Sequence, residues 1–539
     1  MGARLGTVDE LSRRGIAPIP VEKGLHELRR LLCRKQGNVA TAVIGRLGDV
    51  PTLQVAKPEL PFLRFLEKPR VYYPEVELVV DADLSTTTDP YLEDHVFRGE
   101  RLLPAVMGLE AMAQVSLALL NTNEPLTFEQ VRFERPVVVG QNSTNTIRVA
   151  GLVRSPDCVE LVLRSSETGF QIDHFRAVGR IGGGKLESPP QALGQRQDVV
   201  VDPRHDLYGG VLFHGGRFQR LHKYHELTSQ QCAAEISADG TTSWFSRYLP
   251  GGLVLGDPGA RDAAIHAVQA CVPQTALLSV GVERIKGSLT GHTGPLFVHA
   301  RERDHFANDF IYDVALIDNE GRLRECWERL HLRAISGADF KGPWPRGLLT
   351  PYVERTMWDL FPGVDLSVAF AHDQVLDRRE RSTRAMEKTL GASAIIRQVN
   401  GKPEAGNGRG VSASHSGDLT MAIAGHAPIG CDLEPVVARA PTIWRDLLGI
   451  ERFKLAEIIS REAQESLDEA ATRVWTSIEC LKKAGAGLTA PLVFTKVKSN
   501  GWVLLSSGEL KIASSVVRMK DEPENLAIAL LTGGEHARV

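Results

Sequence analysis

The sequence lacks the features that mark several specialised classes of protein. Neither charge is in excess, because the net charge is −3 and the pI is about 6.6, which argues against a dedicated nucleic-acid binder. Seven cysteines are scattered without a Cys-x-x-Cys pair, so neither a zinc site nor a disulfide framework is predicted. The N-terminus has no apolar stretch typical of a signal peptide. We therefore expect a protein of the reducing cytoplasm that binds no nucleic acid.

Long hydrophobic runs are also missing. The most apolar segment of helical length, residues 102–120, contains Glu110 and Gln114 and is too short to span a membrane. A buried core helix of a soluble protein without a membrane partner is the better interpretation. At 539 residues, 43% hydrophobic and 24% charged, the chain is ordinary in composition and long enough for about two to four domains.

Composition divides the chain into three regions. Glycine- and proline-rich segments at residues 182–190 and 341–347 are predicted to be a flexible linker and a hinge. The regions are a first region (1–55), a middle region (56–340, with halves of about 56–185 and 200–340) and a C-terminal region (350–539).

The middle region combines predicted strands with two long helices. Residues 76–80 and 159–163 have strand patterning. One helix occupies residues 102–120, and a second begins near Arg261. Two sheets, each packed around one long helix, predict a double-hotdog fold.

A histidine and an aspartate in the middle region form an acid–base pattern. His95 begins a His-x-x-x-Gly-x-x-x-x-Pro motif that ends at Pro104, and Asp262 begins an Asp-x-x-x-His motif that ends at His266. Dehydration of a β-hydroxyacyl thioester needs a base for the Cα proton and an acid for the departing hydroxyl group. A neutral histidine suits the first task, and a carboxylic acid kept protonated in an apolar tunnel suits the second.

In this order, the two motifs resemble those of the dehydratase domains of polyketide and polyunsaturated fatty-acid synthases. The resemblance covers both halves of the middle region. It implies that His95 and Asp262 are catalytic and that Tyr208 and His266 lie against the substrate. It also implies that His214 lines the same tunnel or supports the catalytic residues.

Each residue of this pair has a simpler explanation when it is taken alone. A histidine before a buried helix is most often a core residue, and an aspartate at a helix start is most often a cap. Ala105 also departs from the family pattern, since many dehydratases have glycine at that position. A hotdog pair that serves as a binding scaffold and no longer dehydrates is therefore kept as an alternative.

Three carboxylates and a lysine form a second pattern in the C-terminal region. Asp432 and Glu434 are two residues apart in a predicted strand, so their side chains leave the same face. Glu479 and Lys483 are four apart in a predicted helix and share one side of it. Three converging carboxylates suit a hard cation such as Mg²⁺, and a nearby lysine suits a phosphate.

With Gly-Lys-Pro at residues 401–403 and Ser-His-Ser at residues 414–416, this pattern closely resembles the larger, pseudo-dimeric 4′-phosphopantetheinyl transferases. These enzymes move 4′-phosphopantetheine from coenzyme A to a serine of an acyl carrier protein. The resemblance implies that Asp432, Glu434 and Glu479 hold Mg²⁺. It also gives Glu479 the task of orienting or deprotonating the incoming serine.

The same resemblance assigns the groups that contact the nucleotide. Lys483 would neutralise the leaving 3′,5′-ADP, and Lys402 and His415 would contact the nucleotide phosphates. Ile478 departs from the family pattern, because many relatives have lysine there. A basic wall for the phosphates, with a solvated helix face as the alternative, is formed by Arg378, Arg379, Arg381 and Arg384.

The first region resembles the last helix and strand of a polyketide synthase ketoreductase. Leu25, Leu28 and Leu31 have helical spacing, and residues 39–45 form an apolar strand. The Gly-rich dinucleotide loop and the Tyr/Lys pair of that family would lie upstream of Met1, and a single helix and strand cannot form a Rossmann sheet. We therefore expect the C-terminal piece, or a relic, of a longer multidomain enzyme.

The three resemblances, in this order, are similar to the C-terminus of the iterative polyketide synthases that make enediyne precursors. They imply an α+β fold class, with a double-hotdog dehydratase followed by a pseudo-dimeric α+β 4′-phosphopantetheinyl transferase. The implied enzyme is bifunctional, with Mg²⁺ as cofactor, coenzyme A as donor and an acyl carrier protein as partner. A fragment of a polyunsaturated fatty-acid synthase is an alternative. The oligomeric state is open, with a homodimer through the parent synthase as one arrangement.

Overall fold

The computed structural model describes residues 7–13, 18–32, 58–182, 186, 199–372, 377–390, 395–397, 403–405, 409–487, 489–520 and 522–533. The chain forms two compact units, Met1–Glu59 and Leu60–Val539. In its described part, the first unit has the helices α1 (Thr7–Arg13) and α2 (Val21–Leu32). Helix α2 confirms the helix predicted from the leucine spacing, whereas the strand predicted at residues 39–45 lies outside the described residues.

The first half of the middle region is an antiparallel sheet packed around one helix. Its sheet order is β1-β2-β7-β8-β9-β5, and the central helix α3 packs against five of these strands. In chain order, the elements are β1 (Lys68–Tyr73), β2 (Glu77–Leu84), β3 (Val96–Phe97), β4 (Glu100–Leu102), α3 (Ala105–Leu120), β5 (Leu126–Phe133), β6 (Val138–Val139), β7 (Asn145–Ser155), β8 (Cys158–Ser165) and β9 (Asp173–Ile181).

The second half repeats this arrangement, with the strand order β12-β15-β14-β13-β11-β10 and a central helix α5. Strands β5 and β12 pair antiparallel, so the two halves share one 12-stranded sheet. The predicted double hotdog is therefore confirmed. In chain order, the elements are α4 (Pro203–Asp206), β10 (Leu221–Leu227), β11 (Gln231–Ala238), α5 (Pro258–Gln269), β12 (Thr275–Gly287), β13 (Gly294–Phe306), β14 (Asp309–Asp318) and β15 (Leu323–Asp339).

Helix α3 is buried on nearly every side, because its sequence is apolar on every face. Its polar residue Glu110, supported by Gln114, links the halves of the domain. Glu110 accepts hydrogen bonds from the backbone N–H groups of Val254 (2.7 Å) and Leu255 (2.9 Å). Gln114 donates to Glu110 (2.8 Å), and burial raises the pKa of Glu110.

Among the described residues, no helix is long and apolar enough to cross a membrane.

The C-terminal region is an α+β structure with two helix-on-sheet halves. Helix α7 packs on the sheet β16-β20-β19, and α10 packs on the sheet β21-β25-β24-β23-β22. In chain order, the elements are α6 (Leu349–Leu360), β16 (Leu366–His372), α7 (Arg378–Leu390), β17 (Ile395–Arg397), β18 (Pro403–Ala405), β19 (Gly410–Ser416), β20 (Leu419–Gly425), β21 (Ile429–Pro435), α8 (Pro441–Leu448), α9 (Ile450–Ala463), α10 (Leu467–Lys483), β22 (Val493–Val497), β23 (Val503–Ser507), β24 (Leu510–Val517) and β25 (Leu526–Thr532).

Residues 341–347 do not form the predicted hinge. Trp344 is buried, with 2% of its surface exposed, and stacks on Tyr352 at a centroid distance of 3.9 Å. Its N–H donates to the carbonyl oxygen of Arg518 (2.8 Å), and its own carbonyl accepts from the N–H of Lys520 (2.9 Å). The prediction was wrong because composition alone does not show that an aromatic residue anchors a glycine- and proline-rich segment.

Arg355 of α6 fastens the C-terminal region to the middle region. The side chain is fully buried, and Nη2 donates to Glu302 (2.6 Å) and to the carbonyl oxygen of Ser229. The preceding residue, Glu354, is also buried and accepts from the hydroxyl group of Ser229 and from the N–H of Val368 (2.9 Å). A largely buried charged network therefore joins the two regions.

We expect Arg355→Met to lower the free energy of unfolding by about 3–5 kcal/mol, because it leaves the Glu302 carboxylate, which is 7% exposed, without its ion-pair partner. Arg303→Met is the matched control, since its pair with Asp313 is half exposed (2.6 Å) and should contribute less than about 1 kcal/mol. Urea unfolding of the two variants checks this. Equal losses of stability would contradict the role given to Arg355.

Candidate functional site

His95 lies at the base of a short hairpin. A turn of 3₁₀ helix at Pro90–Asp94 precedes it. Strands β3 and β4 follow, joined by Arg98 and Gly99 with φ values of 51° and 83°. Positive φ at both positions of a two-residue turn favours glycine. The hairpin returns Leu102 to His95, whose Nδ1 donates to the Leu102 carbonyl oxygen at 2.9 Å. The ring proton is therefore held on Nδ1, and Nε2 keeps its lone pair.

The second half of the middle region holds His95 in place. His95 and His214 form an isolated antiparallel bridge, and their ring centroids lie 5.0 Å apart. The N–H of Gly215 donates to the carbonyl oxygen of Asp94 (2.7 Å), and Arg217 pairs with the Asp94 carboxylate. The segment before β10 therefore places the two histidines side by side.

Asp262 lies in the second turn of α5 and does not cap the helix. The cap is Asp257, whose carboxylate accepts from the N–H of Gly259 (2.9 Å), and Pro258 occupies the first turn. The alternative in which Asp262 serves as a helix cap is therefore wrong.

The structure brings His95, His214 and Asp262 together. One nitrogen or oxygen atom of each lies within 4.8 Å of the other two, and all three residues are buried. His214 Nε2 lies 3.7 Å from Asp262 Oδ2, and that oxygen makes no hydrogen bond to any described residue. The two residues predicted as acid and base thus share one site, although they come from different halves of the sheet.

His266 and Tyr208 extend the site beyond Asp262. His266 Nε2 lies 3.0 Å from Asp262 Oδ2, but the contact lacks the geometry of a hydrogen bond. On the other side of the ring, Nδ1 lies 3.3 Å from the hydroxyl group of Tyr208. Burial raises the pKa of Tyr208, so its hydroxyl group stays protonated.

A cavity of about 230 Å³ opens on these side chains. His95, His214, Asp262 and His266 line it, and most of its other lining residues are apolar. An apolar cavity with a few converging polar groups can hold an acyl chain and exclude water from the polar end. Its apolar lining includes Phe133, Phe175, Phe213, Ile265 and Leu332.

Burial lowers the pKa of His95 below its ordinary value of 6.5, against the opposing effect of the Asp262 charge. The neutral ring is the form that accepts a proton. We therefore expect dehydration to be fully active at neutral pH and to fall with a midpoint below 6.5 as the pH drops. A profile of kcat/KM against pH measures this, because it reports groups of the free enzyme. An acidic limb centred above 6.5 would contradict it.

Comparison with known families gives two matches in the middle region. Residues 69–161 match the family described as polyketide synthase dehydratase domain. Residues 186–341 match the family described as polyketide synthase dehydratase N-terminal domain. The middle region belongs to the polyketide synthase dehydratase family.

Individual relatives cover parts of the chain. A polyunsaturated fatty acid synthase protein of Thraustochytrium sp. is 24% identical over 218 residues, which are 38% of this chain and 7% of that protein. The dehydratase domain from the CurK module of curacin polyketide synthase is 19% identical, with a TM-score of 0.43, and the match covers 51% of this chain and 99% of that one. The domain from the CurF module is 17% identical with a TM-score of 0.41, over 50% and 99% of the two chains.

The second candidate site, in the C-terminal region, lies between β21 and α10. Asp432 is buried, and its Oδ1 accepts from Lys483 Nζ (2.7 Å) and from the hydroxyl group of Ser414 (2.6 Å). Its Oδ2 is buried and makes no hydrogen bond to any described residue. Burial lowers the pKa of Lys483, but Cys431 and Asp432 outweigh this effect and raise it. Lys483 therefore carries its charge at neutral pH.

Glu434 and Glu479 stand near this pair. Burial raises the pKa of Glu434, and the negative charges of Asp432 and Glu479 raise it further. Glu479 accepts from Lys482 at 2.6 Å. Among the described residues, the three carboxylates do not form a set of oxygens within 4.8 Å, whereas His95, His214 and Asp262 supply such a set of atoms in the dehydratase domain.

Local sequence explains how α10 presents its side chains. A capping box of Ser466 and Glu469 begins the helix, and Gly485, with φ 85°, follows its end. A Cβ atom at Gly430 would lie 2.3 Å from the carbonyl oxygen of Cys480. Glycine therefore lets α10 lie directly on β21.

His415 is surrounded by positive charge. Burial, followed by the charges of Arg378, Lys483 and Arg381, lowers the pKa of His415 to about 4. Its Nε2 lies 3.1 Å from the hydroxyl group of Ser382. Lys402 lies outside the described residues. Ile478 is buried in the apolar cluster between α10 and the sheet, so this position adds no charge to the site.

A larger cavity, of about 790 Å³, lies between the dehydratase domain and the C-terminal region. His225, Arg301, Arg346 and Lys388 are among its lining residues. None of the residues predicted to be catalytic belongs to its described lining. The larger of the two cavities is therefore not the one that contains the predicted catalytic residues.

Proposed function

We propose that the dehydratase domain removes water from β-hydroxyacyl thioesters carried by an acyl carrier protein. The observation that carries the proposal is the shared, buried site of His95 and Asp262, within 4.8 Å of His214 and open to an apolar cavity. His95 Nε2 accepts the proton from Cα. The released electron pair forms the Cα–Cβ double bond, and the β-hydroxyl group leaves as water with a proton from Asp262.

Two features of the site support these roles. The Leu102 carbonyl oxygen holds the ring proton of His95 on Nδ1, so Nε2 is the nitrogen that can take a proton. Asp262 Oδ2 is buried without a hydrogen-bond partner among the described residues, which leaves it ready for a substrate hydroxyl group. A buried polar atom without a hydrogen bond destabilises the folded protein. A ligand that supplies the missing bond would remove this cost.

The alternative of a non-dehydrating scaffold requires His95 to lie far from Asp262, with no tunnel between them. The two residues instead line one cavity, which favours the enzyme.

We propose an enediyne-type iterative polyketide synthase as the parent protein. The basis is the order of the three regions along the chain. The 24% identity to the polyunsaturated fatty acid synthase protein favours such a synthase as the alternative parent.

For the C-terminal region we propose transfer of 4′-phosphopantetheine from coenzyme A to a carrier-protein serine. The observation that favours it is that Asp432 and Glu434 leave one face of β21, with Glu479 and Lys483 on the helix packed against that strand. The serine hydroxyl group attacks the β-phosphorus of coenzyme A, and 3′,5′-ADP leaves. Glu479 orients the hydroxyl group and takes its proton, and Lys483 neutralises the charge that develops on the leaving group.

Carboxylate oxygens are the ligands that Mg²⁺ prefers. The unpartnered, buried Oδ2 of Asp432 suits such an ion. Asp432 would hold it with Glu434 and Glu479, although the oxygens of the three carboxylates do not lie within 4.8 Å of one another in this structure. When bound, Mg²⁺ would supply neutralisation of the pyrophosphate charge. Mass spectrometry of carrier protein incubated with the chain, coenzyme A and Mg²⁺ tests the proposal. A carrier protein of unchanged mass would contradict it.

We expect His415→Ala to raise KM for coenzyme A about 10- to 100-fold with a smaller change in kcat. The reason is that one hydrogen bond to a charged phosphate is lost from a site rich in positive charge, and such bonds contribute about 1.5–3 kcal/mol. Steady-state kinetics with varied coenzyme A measures this. His426→Ala is the control, because that histidine is 72% exposed. An unchanged KM in His415→Ala would remove His415 from the nucleotide site.

A further inference from the structure

We propose that His95, His214 and Asp262 form a binding site for a transition-metal dication such as Zn²⁺, and that the bound ion blocks dehydration. One nitrogen or oxygen atom from each residue lies within 4.8 Å of the other two, and all three residues are buried. Neither of the activities proposed above requires this ion.

The contacts around the set leave its atoms free to bind a metal. The carbonyl oxygen of Leu102 binds His95 Nδ1 at 2.9 Å, which is how metal-bound histidines are commonly held from behind. Asp262 Oδ2 is buried and makes no hydrogen bond to any described residue. His214 Nε2 lies 3.7 Å from that oxygen. Two nitrogens and one oxygen can therefore converge without the loss of a hydrogen bond from the carboxylate.

Little movement is needed to bind the ion. Tetrahedral Zn²⁺ with bonds of about 2.0–2.2 Å places neighbouring ligand atoms about 3.4 Å apart. The three ligand atoms lie within 4.8 Å of one another. Small side-chain rotations are therefore enough to bring them to the distances that the ion requires. The backbone bridge between His95 and His214 holds two of the ligands in register, although they belong to different halves of the domain.

The donor set determines which metal is expected. Two imidazoles and one carboxylate are typical of Zn²⁺ and Co²⁺, whereas Mg²⁺ and Ca²⁺ prefer oxygen ligands. The cavity of about 230 Å³ next to the three side chains leaves a fourth position for water. A bound ion would occupy the lone pair of His95 and the carboxylate of Asp262, which are the atoms that the proposed dehydration uses. Zn²⁺ should therefore compete with the acyl substrate.

Titration of the full chain with Co²⁺, followed by visible absorption, tests the site directly. The titration contains excess Mg²⁺, which fills the sites made only of oxygen ligands and so keeps Co²⁺ out of them. We expect the intense bands of four-coordinate Co²⁺, displaced by Zn²⁺. The dissociation constant should rise at least tenfold in His214→Gln and in Asp262→Asn. His205→Gln is the matched control, because that histidine is exposed and paired with Asp202.

Circular dichroism and metal-free thermal unfolding show whether each variant is folded, and the comparison uses only folded variants. Wild-type protein that gives no four-coordinate Co²⁺ spectrum overturns the proposal. A spectrum that persists unchanged in both His214→Gln and Asp262→Asn also overturns it. A thiolate-to-Co²⁺ band in the near ultraviolet would place the metal on a cysteine, with the same consequence. Because these readouts need no turnover, they remain decisive if the proposed dehydration itself fails.

Discussion

Replacement of His95 by alanine is expected to slow dehydration of a β-hydroxyacyl carrier protein by about 10²–10⁴-fold. The imidazole is buried, its Nδ1 donates to the Leu102 carbonyl oxygen, and the residue lines the same cavity as Asp262. Removal of the ring removes the base for the Cα proton and leaves the rest of the cavity in place. Asp262→Asn should have an effect of similar size, because an amide cannot donate the proton that the leaving hydroxyl group needs.

The measurement is kcat/KM for alkene formation, followed by mass spectrometry of the carrier-bound acyl group. His205→Ala should retain wild-type activity, since the His205 side chain is 71% exposed and pairs with the surface residue Asp202. Transfer of phosphopantetheine should survive both active-site changes. Near-wild-type alkene formation by either His95→Ala or Asp262→Asn would remove that residue from the mechanism.

Glu479→Gln is expected to abolish transfer of phosphopantetheine, by about 10³-fold or more, because it affects both metal binding and the incoming serine. Lys483→Met should cost less, because it weakens only the stabilisation of the leaving group. It also frees Asp432 from its 2.7 Å contact with the ammonium group. Dehydration should survive both changes.

The increase in mass of the carrier protein measures transfer, with and without EDTA. Lys454→Met is the control, since its pair with Glu451 lies on the exposed surface of α9 (3.2 Å) and should contribute little. Transfer that resists EDTA, or full activity of Glu479→Gln, would show that the carboxylates do not have the roles proposed for them.

The parts of the fold that sequence analysis predicted are those controlled by local patterns. Helix α3 followed from an apolar run of helical length, and β2 and β8 followed from strand patterning. The spacing of the His95 motif is likewise determined by neighbouring residues, through a hairpin turn and a helix start. Gly99 occupies the hairpin turn, and Pro104 stands directly before α3. The motif could therefore be recognised without knowledge of the fold.

Contacts between distant segments could not be predicted in this way. The sequence placed His214 only in the tunnel wall or in a supporting position. Its bridge to His95 and its 3.7 Å approach to Asp262 depend on how the two sheets join. The buried pair of Arg355 and Glu302 likewise joins segments far apart in sequence, and no local pattern marks either residue as buried. The anchored Trp344 escaped prediction for the same reason.

The most direct test of the central claim is the rate of dehydration by the double variant His95→Ala/Asp262→Asn beside the two single variants. Residues that act as one catalytic unit show strongly non-additive losses, because removal of either partner already disables the step. We expect the double variant to be about as slow as the slower single variant. A double variant whose loss equals the product of the two single losses would mean that His95 and Asp262 act independently. That result would contradict a shared acid–base site across the two hotdog halves.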